Sequence, residues 1–330
     1  MAKIRILITD GLGIEGIDRL RSHPDFELDV RKSVAPDELR KIIGGYQAIL
    51  TRNPTPLPKD VLTHAQELEL IVRAAVGVDN IDLETARKMG IEVRNCATSN
   101  SVSAAEHTLG LLLSVMRRIP ESNRALREGR WDRTETFQGR EIQSKTLGVI
   151  GVGNIGKIVS SKAMALGMRV VAFDIKYTSI QQLPEKFRML EGRFKLLRSM
   201  DEVLAAADAV TLHVPKNPEN LNLISREKIA LMKPGSVFLN CARGGLVDET
   251  AVVEALDSGH FWGAAFDVFE NEPPRFPHAL MSHPKAVCTA HLGGFTAEAH
   301  ERAAIASADH ILEFFNRSKK NRSRGTETLN

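Results

Sequence analysis

Short apolar runs separated by stretches of helical spacing recur along the whole chain. KIRILITD (3–10), AILTR (48–52) and LELIVRAA (68–75) are β-rich, and intervening segments such as APDELRKII place apolar residues at helical intervals. This alternation predicts parallel strands covered by helices. A second, longer series follows: TLGVIG (146–151), RVVAFD (169–174), DAVTLHV (208–214), SVFLNC (236–241), WGAAFDV (262–268) and AVCTAH (286–291). Two α/β units are therefore expected. Between the two series, SVSAAEHTLGLLLSVMRRI (101–119) is apolar on nearly every face, which predicts a buried helix or a subunit contact. The tail 317–330 is polar, basic and without apolar period, and is expected to lack order.

Composition narrows the picture without changing it. With 330 residues, 43% of them apolar, the chain can bury a core large enough for two domains. Its 44 Lys and Arg against 41 Asp and Glu give no broad basic field, so nucleic acid is not an expected partner. No apolar run approaches the ~20 residues of a membrane span. MAKIRILITDGL carries acidic and glycine residues where a secretory signal needs a continuous apolar stretch, so a cytoplasmic location is expected. Cys96, Cys241 and Cys288 are too few and too scattered for a disulfide framework or a zinc site, and no metal is expected.

The first chemical signal is KTLGVIGVGNIGK (145–157), in which Gly151, Gly153 and Gly156 spell GxGxxG directly after a strand and before the helical pattern IGKIVSSKAMALG. The first glycine permits a tight turn, the second lets the backbone approach a pyrophosphate, and the third lets strand and helix pack closely. The helix start at Asn154 and Ile155 offers backbone N–H groups to phosphates. Gly151, Gly156 and Lys157 also match GxxxxGK, but Ile158 stands where a P-loop needs Ser or Thr to hold magnesium. Asp174 ends the next strand, 23 residues after Gly151, near the spacing of an acid that binds an adenosine ribose. A carboxylate there repels a 2′-phosphate and favours NAD over NADP, a preference that Lys176 would soften; an S-adenosyl-binding or purely structural Rossmann unit is the alternative.

Ligands in open α/β sheets bind at the carboxyl ends of the strands. NCARGGLVDE places Arg243 just past one strand, AFDVFENEPP places Asp267 and Glu272 after another, and TAHLGGFT places His291 at the end of the last. A cation for a carboxylate and carbonyl, together with an imidazole charged by a carboxylate partner, is what hydride reduction of a keto acid requires.

These stretches, with RAAVGVDNID (73–82) and NSVSAAEHTLGLLL (100–113), resemble the D-isomer-specific 2-hydroxyacid dehydrogenases over about residues 3–316, most closely the phosphoglycerate type. The resemblance implies a cofactor domain at 99–291 inserted within a smaller flavodoxin-like substrate domain made of 1–98 and 292–330, the two crossings acting as a hinge. It implies the catalytic residues Arg243, Glu272 and His291. It adds cofactor contacts from His213, Pro215, Ala242, Asp267 and Gly293, substrate-carboxylate binding by backbone N–H groups around Val76 and Gly77, and Asn100 lining the same cleft. Arg52 matches an arginine that holds a substrate phosphate, with Arg73 as an aid or a structural ion pair. A homodimer through helix 101–119 is implied, with Trp131 following. Glyoxylate or hydroxypyruvate reduction, and a nucleotide-sensing corepressor or scaffold, remain alternatives on the same fold.

Two departures accompany the resemblance. Ala290 stands where a proline commonly precedes the histidine, and KFRMLEGRFKLLR (186–198) lengthens the connection after Asp174 with five basic residues, expected as a solvated face, with a second phosphate contact as the alternative. The regulatory extension of many phosphoglycerate dehydrogenases is missing from the sequence, so serine feedback through such a domain is not expected.

Overall fold

The computed structural model describes residues 3–52, 54–188 and 192–326. The chain divides into two units, residues 1–100 with 295–330, and residues 101–294.

The first unit holds β1 (Ile4–Ile8), β2 (Phe26–Val30), β3 (Ala48–Thr51), β4 (Leu70–Arg73) and β5 (Glu92–Asn95). They form a parallel sheet in the order β2-β1-β3-β4-β5. Because side chains alternate across a strand, Leu7, Ile49 and Ile71 fill one face while Ile6, Ile8, Leu50 and Val72 fill the other. The second face is closed by Ala303, Ala308, Ile311 and Phe315 of the helix Ala297–Thr326, so the end of the chain returns to cover the sheet made by its beginning. That helix packs against Ile14–Arg21, where a Cβ on Gly16 would stand 2.6 Å from the Ala304 carbonyl oxygen. It also runs through the stretch expected to lack order as far as Thr326, while residues 327–330 lie outside the described residues.

The second unit holds β6 (Thr146–Ile150), β7 (Arg169–Phe173), β8 (Phe194–Leu196), β9 (Ala209–Leu212), β10 (Ser236–Asn240), β11 (Phe261–Phe266) and β12 (Ala286–Cys288). All pair in parallel, in the order β12-β11-β10-β9-β6-β7-β8. From β6 the chain moves outward through β7 and β8, then returns to lay β9 on the other side of β6. Connections leaving β6 and β9 therefore depart to opposite sides, which opens a crevice at the carboxyl ends of these two strands.

In the segment 186–198 the basic residues Arg193, Lys195 and Arg198 are exposed, while the same segment contributes β8 and buries Phe187 and Phe194 fully against each other with ring centroids 5.0 Å apart. One expectation needs correction here. The helix expected over 101–119 stops at Met116, because Arg118 turns into the left-handed region (φ 52°) and a separate helix, Ile119–Arg127, begins with Pro120 in its first turn. Ten of the sixteen residues of Ser101–Met116 are buried, and Ala105, Leu109, Leu111, Leu112, Val115 and Met116 belong to the core of this unit.

Candidate active site and dinucleotide cradle

The turn after β6 has the shape that its glycines allow. Gly151 adopts φ 94°, a region that side chains disfavour, and a Cβ on Gly156 would lie 2.0 Å from the Gly151 carbonyl oxygen. Around Gly153 the situation is reversed, since a Cβ there would meet nothing within 4 Å. Open room therefore lies at the one glycine whose backbone should face a pyrophosphate. Gly153 is the N-cap of the helix Asn154–Ala165 and supplies no side-chain cap, so the first N–H groups of that helix remain available for phosphate oxygens. Ile155, by contrast, is partly buried against the core.

Asp174, just past β7, is oriented by two backbone donors. Its Oδ2 accepts from the Val152 N–H at 2.7 Å and its Oδ1 from the Lys176 N–H at 2.8 Å. A carboxylate fixed beside the glycine turn suits ribose hydroxyls. Lys157, the residue that suggested a P-loop, donates instead to the Tyr177 hydroxyl at 2.9 Å and lies over that ring. The open space at Gly153, the uncapped helix and the anchored acid together fit a dinucleotide.

Along the same sheet edge, His213 follows β9 and contacts Thr211 Oγ1 at 3.2 Å. Burial pushes its imidazole down to about 3, so the ring is neutral. Pro215 is held by Asn220, whose Nδ2 donates to its carbonyl at 2.6 Å, and the Ala242 N–H is received by Asn240 Oδ1 at 3.1 Å.

Arg243, Glu272 and His291 all belong to this unit. Asn240 Nδ2 donates to the Arg243 carbonyl at 2.9 Å, and Arg243 Nη1 donates to the Ala242 carbonyl at 2.7 Å, which ties the loop after β10 to itself. At Gly244 this loop presses on the one after β11, since a Cβ there would lie 1.7 Å from the Phe269 carbonyl oxygen. Glu272 and His291 meet at 2.5 Å between Oε2 and Nδ1, and the other carboxylate oxygen accepts the Phe269 N–H at 3.0 Å. The hydrogen bond to Glu272 raises the imidazole above its usual range against the opposing effects of burial and of the Arg243 charge. Burial pushes the Glu272 carboxyl up, but the bonds from His291 and the Phe269 N–H outweigh it and hold it below the usual range.

Asp267 organises the loop that carries His291. The Asp267 carbonyl accepts the His291 N–H at 2.8 Å, and its carboxylate accepts the N–H groups of Leu292 and Gly293, both at 2.7 Å. Three successive backbone donors thus converge on one residue, which holds His291 in a left-handed conformation (φ 53°) directly after Ala290. The Thr289 hydroxyl, at 2.5 Å, and His107 Nε2, at 3.2 Å, complete the set, and His107 also meets Thr289 at 3.0 Å. Burial raises the Asp267 carboxyl, yet these donors keep it below its ordinary range. Asp267 and Gly293, expected from the resemblance as cofactor contacts, are thus bonded to each other. His107 escaped the sequence reading because it is a single imidazole within an apolar helix. Its only signal was that it was the one such residue there.

The remaining expected residues lie in the first unit. Asn95 Nδ2 donates to the Val76 carbonyl at 2.5 Å, and Arg73 Nε, buried at the end of β4, donates to the Gly77 carbonyl at 3.2 Å. Fixing these carbonyls turns the N–H groups in the same planar peptides, those of Gly77 and Val78, the opposite way. Arg73 thus shapes the turn. Asn100 keeps a buried Oδ1 that has no hydrogen-bond partner among the described residues. Arg52 follows β3, its N–H bonded to Asp10 Oδ2 at 3.1 Å and its Nη2 2.8 Å from His300 Nε2.

A doubly wound parallel sheet with a glycine turn, an anchored ribose acid and a histidine–carboxylate pair past its last strands defines a dinucleotide-linked dehydrogenase architecture. Residues 109–293 match the model of the NAD binding domain of the D-isomer specific 2-hydroxyacid dehydrogenases, and the chain belongs to this family. It is 39% identical over 316 residues to the D-3-phosphoglycerate dehydrogenase of Bacillus subtilis (strain 168), covering 94% of this chain and 57% of that protein. The chain thus spans little more than half the length of this relative. With the hydroxypyruvate reductase of Thermotoga maritima it shares 36% identity over 95% of this chain and 99% of the relative. The crystal structure of the Aquifex aeolicus D-lactate dehydrogenase complexed with NAD and lactic acid superposes with a TM-score of 0.80 at 26% identity, covering 97% of this chain and 98% of that one.

Proposed function

We propose that this protein is an NAD-dependent D-2-hydroxyacid dehydrogenase that oxidises 3-phospho-D-glycerate to 3-phosphohydroxypyruvate, the oxidation that opens serine biosynthesis, in the cytoplasm and as a homodimer. The observation that carries the reading is the 2.5 Å contact between His291 and Glu272, two residues past the ends of adjacent strands in the unit that bears the dinucleotide cradle. NAD supplies hydride transfer when bound. Gly153 and the first turn of Asn154–Ala165 would hold its pyrophosphate and Asp174 its ribose. In the oxidation direction, neutral His291 takes the hydroxyl proton while Glu272 stabilises the imidazolium that results. In the reverse direction the imidazolium gives that proton back to the carbonyl oxygen. Arg243 binds the substrate carboxylate and polarises the carbonyl, a role suited to a planar guanidinium that donates to two oxygens at once. In the first unit, the backbone N–H groups around Val76 and Gly77 are assigned to a substrate carboxylate and Arg52 to a substrate phosphate.

The phosphate assignment is tested by comparing 3-phospho-D-glycerate with D-glycerate, the same acid without phosphate, in the wild type and in Arg52→Ala. The wild type should favour the phosphorylated acid, and the variant should lose mainly that preference, by about 1.5–3 kcal/mol for a charged hydrogen bond. Equal efficiency on both acids in the wild type would favour the second reading, a glyoxylate or hydroxypyruvate reductase. That reading draws on the Thermotoga maritima relative, which this chain matches over 99% of its length. NAD binding without turnover of any 2-hydroxy or 2-keto acid would instead indicate a nucleotide-sensing scaffold.

A further inference from the structure

Within the first unit, two side chains that usually seek anions are held against each other. Arg52 follows β3, and His300 sits in the first turn of Ala297–Thr326, 248 residues later, with Arg52 Nη2 and His300 Nε2 2.8 Å apart. A guanidinium has five N–H donors and no lone pair, so this contact requires a neutral imidazole that presents its Nε2 lone pair. Burial and the Arg52 charge both push the imidazole below its ordinary range, in keeping with that neutral form. Among the described residues no carboxylate lies within ion-pair distance of the Arg52 guanidinium. The Asp10 carboxylate accepts the Arg52 backbone N–H and the hydroxyls of Thr9 and Thr55. The edge of Phe295 meets His300 at 4.9 Å and 84°, which fixes the plane of the imidazole.

Two groups able to carry positive charge, in contact and without an acid between them, gain most from an added anion. We propose that His300 is the second half of an oxyanion subsite whose first half is Arg52, and that the imidazole selects a phosphorylated acid over its unphosphorylated counterpart. The proposal rests on the phosphoglycerate reading above. When phosphate oxygens arrive, Arg52 turns its N–H groups to them. His300 Nε2 changes from acceptor to donor, either by moving its proton from Nδ1 through solvent or by taking one up from water. A terminal hydroxyl offers no charge to drive this exchange, so the pair discriminates by charge rather than by size.

The test measures kcat/KM for 3-phospho-D-glycerate and for D-glycerate in the wild type, His300→Ala, His300→Gln, Arg52→Ala and the double alanine variant. The ratio of the two efficiencies should fall roughly 10- to 100-fold in His300→Ala, through KM, as expected for loss of a hydrogen bond to a charged group. His300→Gln, which restores an N–H donor of similar reach, should recover part of the ratio. The double variant should fall by less than the product of the single effects, because one subsite cannot be lost twice. Independently of turnover, inorganic phosphate added to the protein should shift the NMR signals of the His300 ring in the wild type but not in Arg52→Ala. A wild type that prefers the phosphorylated acid together with an unchanged ratio in His300→Ala overturns this inference and leaves the functional reading standing. A wild type that is indifferent to the phosphate removes the functional reading itself.

Discussion

At the scale of single residues, the hydrogen bond between Glu272 and His291 does two things: it orients the imidazole and it raises its affinity for a proton. The consequence for pH has a definite sign. Reduction uses the imidazolium, so its kcat/KM should be level at low pH and fall as pH rises through the elevated pKa of His291. Oxidation uses the neutral ring and should rise across the same interval. Glu272→Gln removes the charge that favours the imidazolium, so both breaks should move to lower pH, and reduction at neutral pH should lose more than oxidation. Profiles of kcat/KM in the two directions test this, and an unmoved break would remove Glu272 from the role. This pair was legible in the sequence because each residue closely follows a recognisable strand and is itself soon followed by a chain breaker, Pro273 after Glu272 and Gly293 after His291. Asp267 was expected from the sequence as a cofactor contact and not as the anchor of the loop 291–293. Three converging backbone N–H groups are a property of folded geometry, and no spacing of letters encodes them.

At the scale of elements, the last two glycines of the turn after β6 separate packing from binding. Gly156→Ala puts a methyl group 2.0 Å from the Gly151 carbonyl oxygen, so strand and helix must part, and destabilisation of at least the 1–3 kcal/mol typical of overpacking is expected. Gly153→Ala meets nothing within 4 Å and should fold normally while weakening NAD, because its methyl group enters the space left for pyrophosphate. Thermal unfolding without ligand and NAD titration of both variants check this; equal melting temperatures would show that the turn does not pack as described. The strands on either side of this turn were evident from continuous apolar runs, as strands buried on both faces must be. β2, with FELDV, and β5, with EVRN, were not, because an edge strand pairs on one side only and can carry charges that break the apolar signal. β8 is hidden similarly at the other sheet's edge, where two buried phenylalanines sit among basic residues.

At the scale of the whole molecule, the inferred homodimer must hide apolar surface that one chain leaves open. The helix named for this role in the sequence has little left to offer, since most of Ser101–Met116 is already buried. The following segment differs: Ile119 and Leu126 are each 52% exposed and Trp131 is 82% exposed. Large side chains exposed along a dozen residues are costly in water and mark a surface for association, of which a stable pair needs about 800 Å² per partner. Tryptophan at the centre of such a patch carries a disproportionate share of the affinity. Sedimentation velocity at micromolar concentration should therefore show a dimer for the wild type and for Trp131→Phe, which keeps an aromatic anchor, and a shift toward monomer for Trp131→Glu, which places a charge there. A wild type that sediments as a monomer would refute the dimer. A dimer that persists in Trp131→Glu would move the contact away from 119–131, back toward the exposed edge of the preceding helix at Val102.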